Sequence, residues 1–547
     1  MERKWWKEAV IYQIYPRSFN DSNGDGIGDI RGVIEKLDYI KELGVDVVWL
    51  CPVYQSPNAD NGYDIADYYG IMDEFGTMED FDLLLEEAHK RGLKIIMDLV
   101  INHTSDQHQW FIESRSPKRN SKSDYYIWRP GKEGQEPNNW RSIFGGSAWE
   151  YDENRDEYYL HLFDKRQPDL NWKNPEVKEK IFNMIQWWME KGIDGFRMDV
   201  INLLGKADGL PDAKQGKKTG KYIEAPHLWA NLPLVHEVLH DMNRQVLSKY
   251  DVMTVGETPF VTPKEGALYV DERREELNMI FQFEHFQLPG FDDDNLVEYK
   301  DIQQRWYQAT HEYGWNSQFL GNHDYPRMVS KFGNDSRYRK ESAKLLATML
   351  LTLPGTPYIY QGDEIGMTNV HFPSIEDYND VYTVNLYHEA AARGEDPEKF
   401  LDEFRPQSRD NARTPMQWSG EKNGGFTDGT PWLKLNPNYK EINVVEARKD
   451  SCSILNYYKE LIALRKREEN LALIYGKYKP YFSDDKTLYG YTRSFQGKTF
   501  LTILNFSEEE RSVELDNIGE VDELIIGNYA SESEQMRPYE ARLYLLK

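Results

Sequence analysis

Short apolar runs alternate with helical patterns along the first part of the chain. Residues 9–15 (AVIYQIY), 45–50 (VDVVWL) and 93–100 (LKIIMDLV) are β-branched and almost continuously apolar. Such runs predict strands buried on both faces, as in a parallel sheet. Between them, 34–43 and 81–91 carry the 3.6-residue apolar spacing of amphipathic helices. The rhythm breaks at residue 103. Up to residue 172 the chain is rich in Asn, Ser, Asp, Trp and Tyr and has weak periodicity. A segment of that length is too long for a loop and predicts an inserted subdomain. A helical pattern resumes over 177–191, and further strand candidates lie at 195–200, 252–256, 278–283, 316–320 and 356–360. Eight strands with intervening helices predict an α/β fold, a closed (β/α)8 TIM barrel with the insertion after its third strand. Past residue 467, the segments 488–493, 499–505, 511–515, 523–526 and 541–546 alternate between polar and apolar positions and are separated by polar turns. They predict a C-terminal all-β sandwich domain. The expected limits are 1–103 and 175–477 for the barrel, 104–174 for the insertion and 478–547 for the β domain.

Charge narrows the partners. Sixty-six Lys and Arg face 92 Asp and Glu, a formal charge of −26. That balance argues against nucleic acid and anionic membrane. No run approaches the ~20 apolar residues of a membrane helix, and the opening residues lack the apolar core of a secretory leader. With only two cysteines, Cys51 and Cys452, a disulfide scaffold is excluded. The expectation is a cytoplasmic monomer that acts on a small molecule.

The chemistry sits where strands end, as barrel active sites do. The third strand ends at Asp98, followed by Asn102 and His103; the fourth carries Arg197 and Asp199; the fifth is followed by Glu257; the seventh by His323 and Asp324. A single strand-end Asp is most simply a helix cap. Carboxylates at four strand ends repel one another, and such a cluster points to a site. Paired carboxylates suit glycoside hydrolysis. Arg197 and Asp199 are two residues apart and so point to one side of an extended strand, where the guanidinium would keep Asp199 ionised as a nucleophile. Glu257, at a less basic strand end, is the candidate acid. The residue pattern alone leaves this division of roles open.

DLVINH (98–103), QPDLNW (167–172), GFRMDV (195–200), VGET (255–258) and NHD (322–324) resemble, in order, the signature motifs of the α-amylase superfamily. The likeness runs from WWKEAVIYQIYPRSF (5–19) to RPYEARLYLLK (537–547). The resemblance implies a retaining mechanism. Asp199 would be the nucleophile, Glu257 the general acid/base and Asp324 a third acid that grips sugar hydroxyls. His103 and His323 would hydrogen-bond the sugar, Arg197 would orient Asp199, and Tyr63 would stack on the ring. Retention implies roughly 5–5.5 Å between the Asp199 and Glu257 carboxyls. DSNGDGIGD (21–29), SPNADNGYDI (56–65), QGDEIGM (361–367) and RDNARTPMQW (409–418) are most similar to the oligo-1,6-glucosidase (isomaltase) group. By that likeness Asp60 and Arg413 would clamp the non-reducing glucose of isomaltose and short isomalto-oligosaccharides. Val200 follows the nucleophile; valine there accompanies α-1,6 specificity in relatives, and threonine or alanine α-1,4. A valine is also an ordinary strand residue. Two positions depart from the group. Thr258-Pro259-Phe260 stands where isomaltases carry Met-Pro-Gly, and Gly321 stands where they carry a larger residue. Both would reshape the aglycone side.

DSNGDGIGD places Asp21, Asn23, Asp25 and Asp29 at positions one, three, five and nine of an EF-hand-like loop, with Gly26 at six. Position twelve is Gly32, so the bidentate glutamate is missing. The loop suits a structural Ca²⁺ or Mg²⁺, with Ile27 adding a carbonyl, and relatives hold a cation there; an ordinary Asp/Asn/Gly turn is the alternative. Other substrates stay open within the superfamily. Maltose or sucrose would suit related α-glucosidases. Trehalose-6-phosphate hydrolase would need a phosphate site, for which Lys214, Lys217, Lys218 and Lys221 are candidates, although a solvated loop reads as well. Sucrose isomerases carry an arginine-rich loop after the sixth strand, and 282–294 here has no arginine. Non-catalytic barrels that partner membrane transporters lack parts of the acid set, whereas this chain keeps all three.

Overall fold

All eight expected barrel strands are present: β1 (Ile11–Ile14), β2 (Val47–Leu50), β3 (Lys94–Val100), β4 (Gly195–Asp199), β5 (Met253–Glu257), β6 (Met279–Phe281), β7 (Ser317–Gln318) and β8 (Thr356–Tyr360). The computed structural model describes residues 3–116, 120–214, 220–515, 518–531 and 533–547. The strands are parallel, in the order β6-β5-β4-β3-β2-β1-β8-β7. The ends of that order meet where Ser317 Oγ donates to the Ile280 carbonyl at 2.7 Å. Every residue of β1, β2, β4, β5, β6 and β8 is buried. Burial on both faces explains their continuous apolar sequences.

Helix boundaries follow local chemistry. The helix Pro175–Lys191 starts with Asn174 accepting from the Glu176 amide and Pro175 in its first turn, and ends at Gly192 in a left-handed conformation (φ 106°). The helix expected over 34–43 is two helices, Ile30–Glu35 and Leu37–Leu43, which divide at Lys36. Asp29 caps the first by accepting from the Gly32 amide at 2.6 Å.

The insertion after β3 contains a three-stranded antiparallel sheet of Trp128–Arg129, Trp149–Asp152 and Glu157–Leu160. Its apolar cluster, with Trp140, Trp149 and Leu162, is continuous with Val200, Leu203 and Trp229 beside the end of β4. A second excursion was not anticipated. Residues 361–453, read as ordinary barrel, hold the helices Val381–Ala392, Pro397–Phe404, Asp410–Arg413 and Val444–Lys449 before the barrel helix Ile454–Arg465. The length argument that exposed the first insertion applies equally here.

The C-terminal β domain is antiparallel: β9 (Lys477–Tyr481), β10 (Leu488–Phe495), β11 (Lys498–Asn505), β12 (Val521–Gly527) and β13 (Ala541–Leu546), in the order β9-β10-β11-β13-β12. Tyr489, Tyr491, Phe500 and Leu543 join the barrel core. Leu501, Ile503 and Leu546 are covered by Val513, Leu515, Ile518 and Met536. The strand expected at 511–515 is instead one isolated bridge, Arg511 to Met536. β9 was missed because it is an edge strand with Pro480 in it. Among the described residues no helix is long and apolar enough to cross a membrane. Cys51 is buried, Cys452 is exposed, and both are free thiols.

Candidate active site

Strand register assembles the central group. Asp98 on β3 lies opposite Arg197 on β4, and Val100 opposite Asp199. On the other side, Val255 of β5 lies opposite Arg197. Gly195 opens β4 because a Cβ there would meet the Met253 carbonyl oxygen at 1.9 Å; that close approach sets the β4–β5 spacing. The fully buried Arg197 guanidinium then reaches three carboxylates. Nη1 lies 2.5 Å from Asp98 Oδ1 and 2.7 Å from Asp199 Oδ1, and Nη2 lies 2.7 Å from Glu257 Oε2. The expected pairing of Arg197 with Asp199 is therefore present. The expectation that Glu257 occupies a less basic strand end is corrected: the same guanidinium holds both.

One cation cannot neutralise three buried carboxylates, so the group retains a proton. Burial pushes Asp199 up to about 7, against the pull of Arg197 and with a push from Asp98. Burial pushes Glu257 higher, to about 8, again opposed by Arg197 and assisted by Asp199 and Asp324. Asp98, raised to about 6, is the most acidic of the three; Arg197, Trp49 Nε1 (2.8 Å) and the Tyr63 hydroxyl (3.1 Å) all donate to it. The order places the retained proton on Glu257.

Asp324 is the opposite case. Burial opposes its charge, but His323, Arg409 and Arg413 outweigh it and hold the carboxyl well below the usual range. Arg413 Nη2 lies 2.7 Å and Arg409 Nη1 3.2 Å from Asp324 Oδ1. Arg409 also reaches Asp60 Oδ1 at 3.0 Å and Asp380 Oδ1 at 2.6 Å. The clamp assigned to Asp60 and Arg413 is thus differently built. Arg409 links Asp60 to Asp324, while Arg413 stands behind Asp324 and donates to the His323 carbonyl (3.0 Å).

These groups line a cavity of about 370 Å³ whose wall includes Asp60, Tyr63, His103, Asp199, Val200, Glu257 and Asp324. Arg197 and His323 form its buried underlayer. The Tyr63 ring stacks on His323 (centroids 5.0 Å, 9°). Burial pushes His323 down to about 3, so the imidazole is neutral. Its Nε2 lies 3.2 Å from Asp324 Oδ2. Its Nδ1 lies 2.9 Å from Gln13 Nε2, within hydrogen-bond reach. Burial also lowers the pKa of His103, whose Nε2 lies 3.1 Å from the Tyr63 carbonyl oxygen.

Sequence reasoning missed Gln13, Gln167 and Arg409, and the aromatic wall of Phe144, Tyr382 and Phe404. RDNARTPMQW contains two arginines, and nothing local separates the role of the first from that of the fifth residue. Gly321 does not line the cavity; a Cβ there would face Asp363 and Met328 at 3.8 Å. Val200 is held in the left-handed region (φ 35°, ψ 41°), rare for a β-branched residue.

At the 21–29 loop, Asp21 Oδ1 accepts from the Asn23 and Gly24 amides and Oδ2 from the Gly26 amide. Asn23 Oδ1 accepts from Asp25 N, and Asp25 Oδ1 from Ile27 N. Asp29 is occupied by Ser22 and the Gly32 amide. Among the described residues no three His, Cys, Asp or Glu side chains converge as a metal-holding group. Asn23 and Asp25 are exposed; their oxygens and a backbone carbonyl such as that of Ile27 are of the hard type that Ca²⁺ or Mg²⁺ takes. In the basic loop Lys221 pairs with Glu136 at 3.1 Å; Lys217 and Lys218 lie outside the described residues.

The chain is 58% identical over 565 residues to the oligo-1,6-glucosidase of Parageobacillus thermoglucosidasius and 54% identical over 563 residues to that of Bacillus cereus, with each chain covered in full. A crystal structure of a Bacillus licheniformis trehalose-6-phosphate hydrolase variant superimposes with a TM-score of 0.93 at 46% identity, again over the whole of both chains. Residues 13–476 match the family model of the α-amylase catalytic domain. With its barrel, its strand-end acids and this match, the chain belongs to the α-amylase family.

Proposed function

We propose that the protein is a retaining, exo-acting α-glucosidase that hydrolyses the α-1,6 bond at the non-reducing end of isomaltose and short isomalto-oligosaccharides and releases glucose. The observation that carries this is the single Arg197 guanidinium that reaches both Asp199 and Glu257 where they line the cavity. Two carboxyls drawn onto one guanidinium suit the close pair of a retaining enzyme, roughly 5–5.5 Å apart. The Asp60–Arg409–Asp324 chain across the cavity wall suits exo-action, and the two relatives named as oligo-1,6-glucosidases support the linkage.

In the first step an Asp199 oxygen bonds to the anomeric carbon. The glycosidic C–O bond breaks, and the departing oxygen takes the Glu257 proton. In the second step Glu257, now a carboxylate, removes a proton from water. The hydroxide oxygen bonds to the anomeric carbon and frees Asp199. Ionised Asp324 accepts from sugar hydroxyls, and neutral His103 and His323 bond the same ring. Tyr63 offers a stacking face, Asp60 and Arg409 hold the far end, Arg413 buttresses Asp324, and Val200 shapes the aglycone side.

The test is initial glucose release from isomaltose, maltose, sucrose and trehalose 6-phosphate at equal concentration. Isomaltose is expected to be fastest; a preference for another sugar keeps the chemistry and overturns the linkage. One observation favours the phosphorylated sugar as a second reading. Lys331 lines the cavity, burial lowers its pKa, and among the described residues no ion pair occupies it, so it suits an anionic aglycone.

The loop at 21–29 is proposed to hold a structural Ca²⁺ or Mg²⁺ through Asp21, Asn23, Asp25, Asp29 and the Ile27 carbonyl. On the same reading the enzyme is a cytoplasmic monomer, for which its two free thiols suit a reducing compartment.

A further inference from the structure

We propose that Phe260 is a stacking platform for the sugar one unit beyond the aglycone residue, the +2 glucosyl of an isomalto-oligosaccharide. The inference rests on the α-1,6-glucosidase reading above. Pro259 and Phe260 are the two turn residues that follow β5 and Glu257. Phe260 has φ 63°. The second centre of a turn that opens with proline favours glycine there, because a left-handed backbone crowds any side chain. The isomaltase pattern Met-Pro-Gly obeys that rule, and this chain departs from it with a large aromatic. Strain kept next to a catalytic centre points to a use.

The ring is not absorbed into a core. Phe260 is 43% exposed, one of few large apolar side chains so open. One edge contact, to Trp229 (centroids 5.3 Å, 84°), fixes it. Its backbone is pinned as well. Asn202 Nδ2 donates to the Pro259 carbonyl at 2.6 Å, and Asn231 Nδ2 to the Phe260 carbonyl at 3.4 Å. Asn202 lies in the short turn just after Val200, and Trp229 shares an apolar cluster with Val200. Phe260 therefore stands on the Val200 side of the mouth. Three peptide units separate it from Glu257, so the two Cα atoms are at most about 11 Å apart. It does not line the cavity itself. A preorganised aromatic face at the rim, one to two sugar lengths from the acid, matches a +2 pyranose and does not reach the ring that is cleaved.

The test compares Phe260→Gly and Phe260→Asn, both at ease with a left-handed backbone, with Phe260→Tyr. The quantity is kcat/KM for isomaltotriose divided by kcat/KM for isomaltose. Gly and Asn are expected to lower the ratio at least threefold, through KM, with no fall in melting temperature, and Tyr to keep it. A ratio unmoved by both Gly and Asn overturns the platform; so does a lowered melting temperature with the ratio unmoved, which marks a structural ring. Calorimetric binding of isomaltotriose to Asp199→Asn, with and without Phe260→Gly, separates the two readings. If wild type cleaves no α-1,6-glucoside while Gly still weakens binding, the activity reading falls and the platform stands. Equal binding with and without the ring removes the platform, whatever the activity.

Discussion

The backbone amide of Val200 donates to Glu257 Oε2 at 3.0 Å. It can do so because Val200 adopts φ 35°, a conformation that costs a β-branched residue about 1–3 kcal/mol. The main chain at this position holds the acid, and the side chain faces the cavity. Val200→Thr keeps β-branching and the amide, so it leaves Glu257 in place and tests shape alone. The ratio of kcat/KM for isomaltose to that for maltose is expected to fall about tenfold, roughly 1.4 kcal/mol of discrimination. An unchanged ratio in initial-rate assays places linkage choice elsewhere.

Asp199→Asn removes the attacking oxygen and one of three negative charges around Arg197. Turnover of isomaltose should drop by roughly four orders of magnitude or more. The melting temperature should hold or rise, since clustered carboxylates repel. Turnover above a few per cent of wild type would remove Asp199 from the nucleophile role.

The two raised carboxyls set a pH window. On the proposed mechanism, activity needs Asp199 ionised and Glu257 protonated. Below about 7 the nucleophile takes up a proton, and above about 8 the acid loses one. kcat/KM against pH should be a bell with its maximum between those limbs, which belong to the coupled pair. In Glu257→Gln, assayed with an aryl α-glucoside whose leaving group needs no proton, the alkaline limb should vanish. The acid limb should stay, because Glu257 is already protonated and uncharged when Asp199 titrates. An alkaline limb that persists would assign the acid to another group.

Arg409→Gln breaks the link between Asp60, Asp324 and Asp380. A charge-assisted hydrogen bond contributes about 1.5–3 kcal/mol, so KM for isomaltose should rise between about tenfold and a hundredfold. Arg413→Gln, behind Asp324, should act mainly through Asp324 and raise its pKa. Steady-state kinetics with a melting control distinguishes the two; a KM unmoved in Arg409→Gln refutes the clamp.

A chelator should lower the melting temperature by about 3 °C or more, and added Ca²⁺ or Mg²⁺ should restore it, if the 21–29 loop holds an ion. Asp25→Ala, at an exposed carboxylate, should abolish the response while kcat at room temperature stays within twofold. A chelator-insensitive melt identifies an ordinary turn.

Much of the barrel was legible because its signal is local. Continuous apolar runs follow from burial on both faces, and six of the eight barrel strands carry that mark in their own four to seven residues. Strand-end acids are legible for the same reason, and Arg197 and Asp199 share a face through the two-residue repeat of a strand. The second excursion at 361–453 was readable by length and went unread. The β9 edge strand was hidden by Pro480. The break at Lys36 has no marker in the 34–43 apolar pattern.

The order of residues along the chain determined the fold class and which acids, Asp199, Glu257 and Asp324, come to line one cavity, because these depend on local periodicity and on fixed positions at strand ends. Only the tertiary structure decided which arginine reaches Asp60, that one guanidinium serves both Asp199 and Glu257, and that Gln13 backs the His323 ring. Gln13 and His323 are 310 positions apart, and Asp60 and Arg409 are 349 apart. Such contacts arise when long excursions pack back over the barrel mouth, and no local spacing encodes where a distant side chain comes to rest.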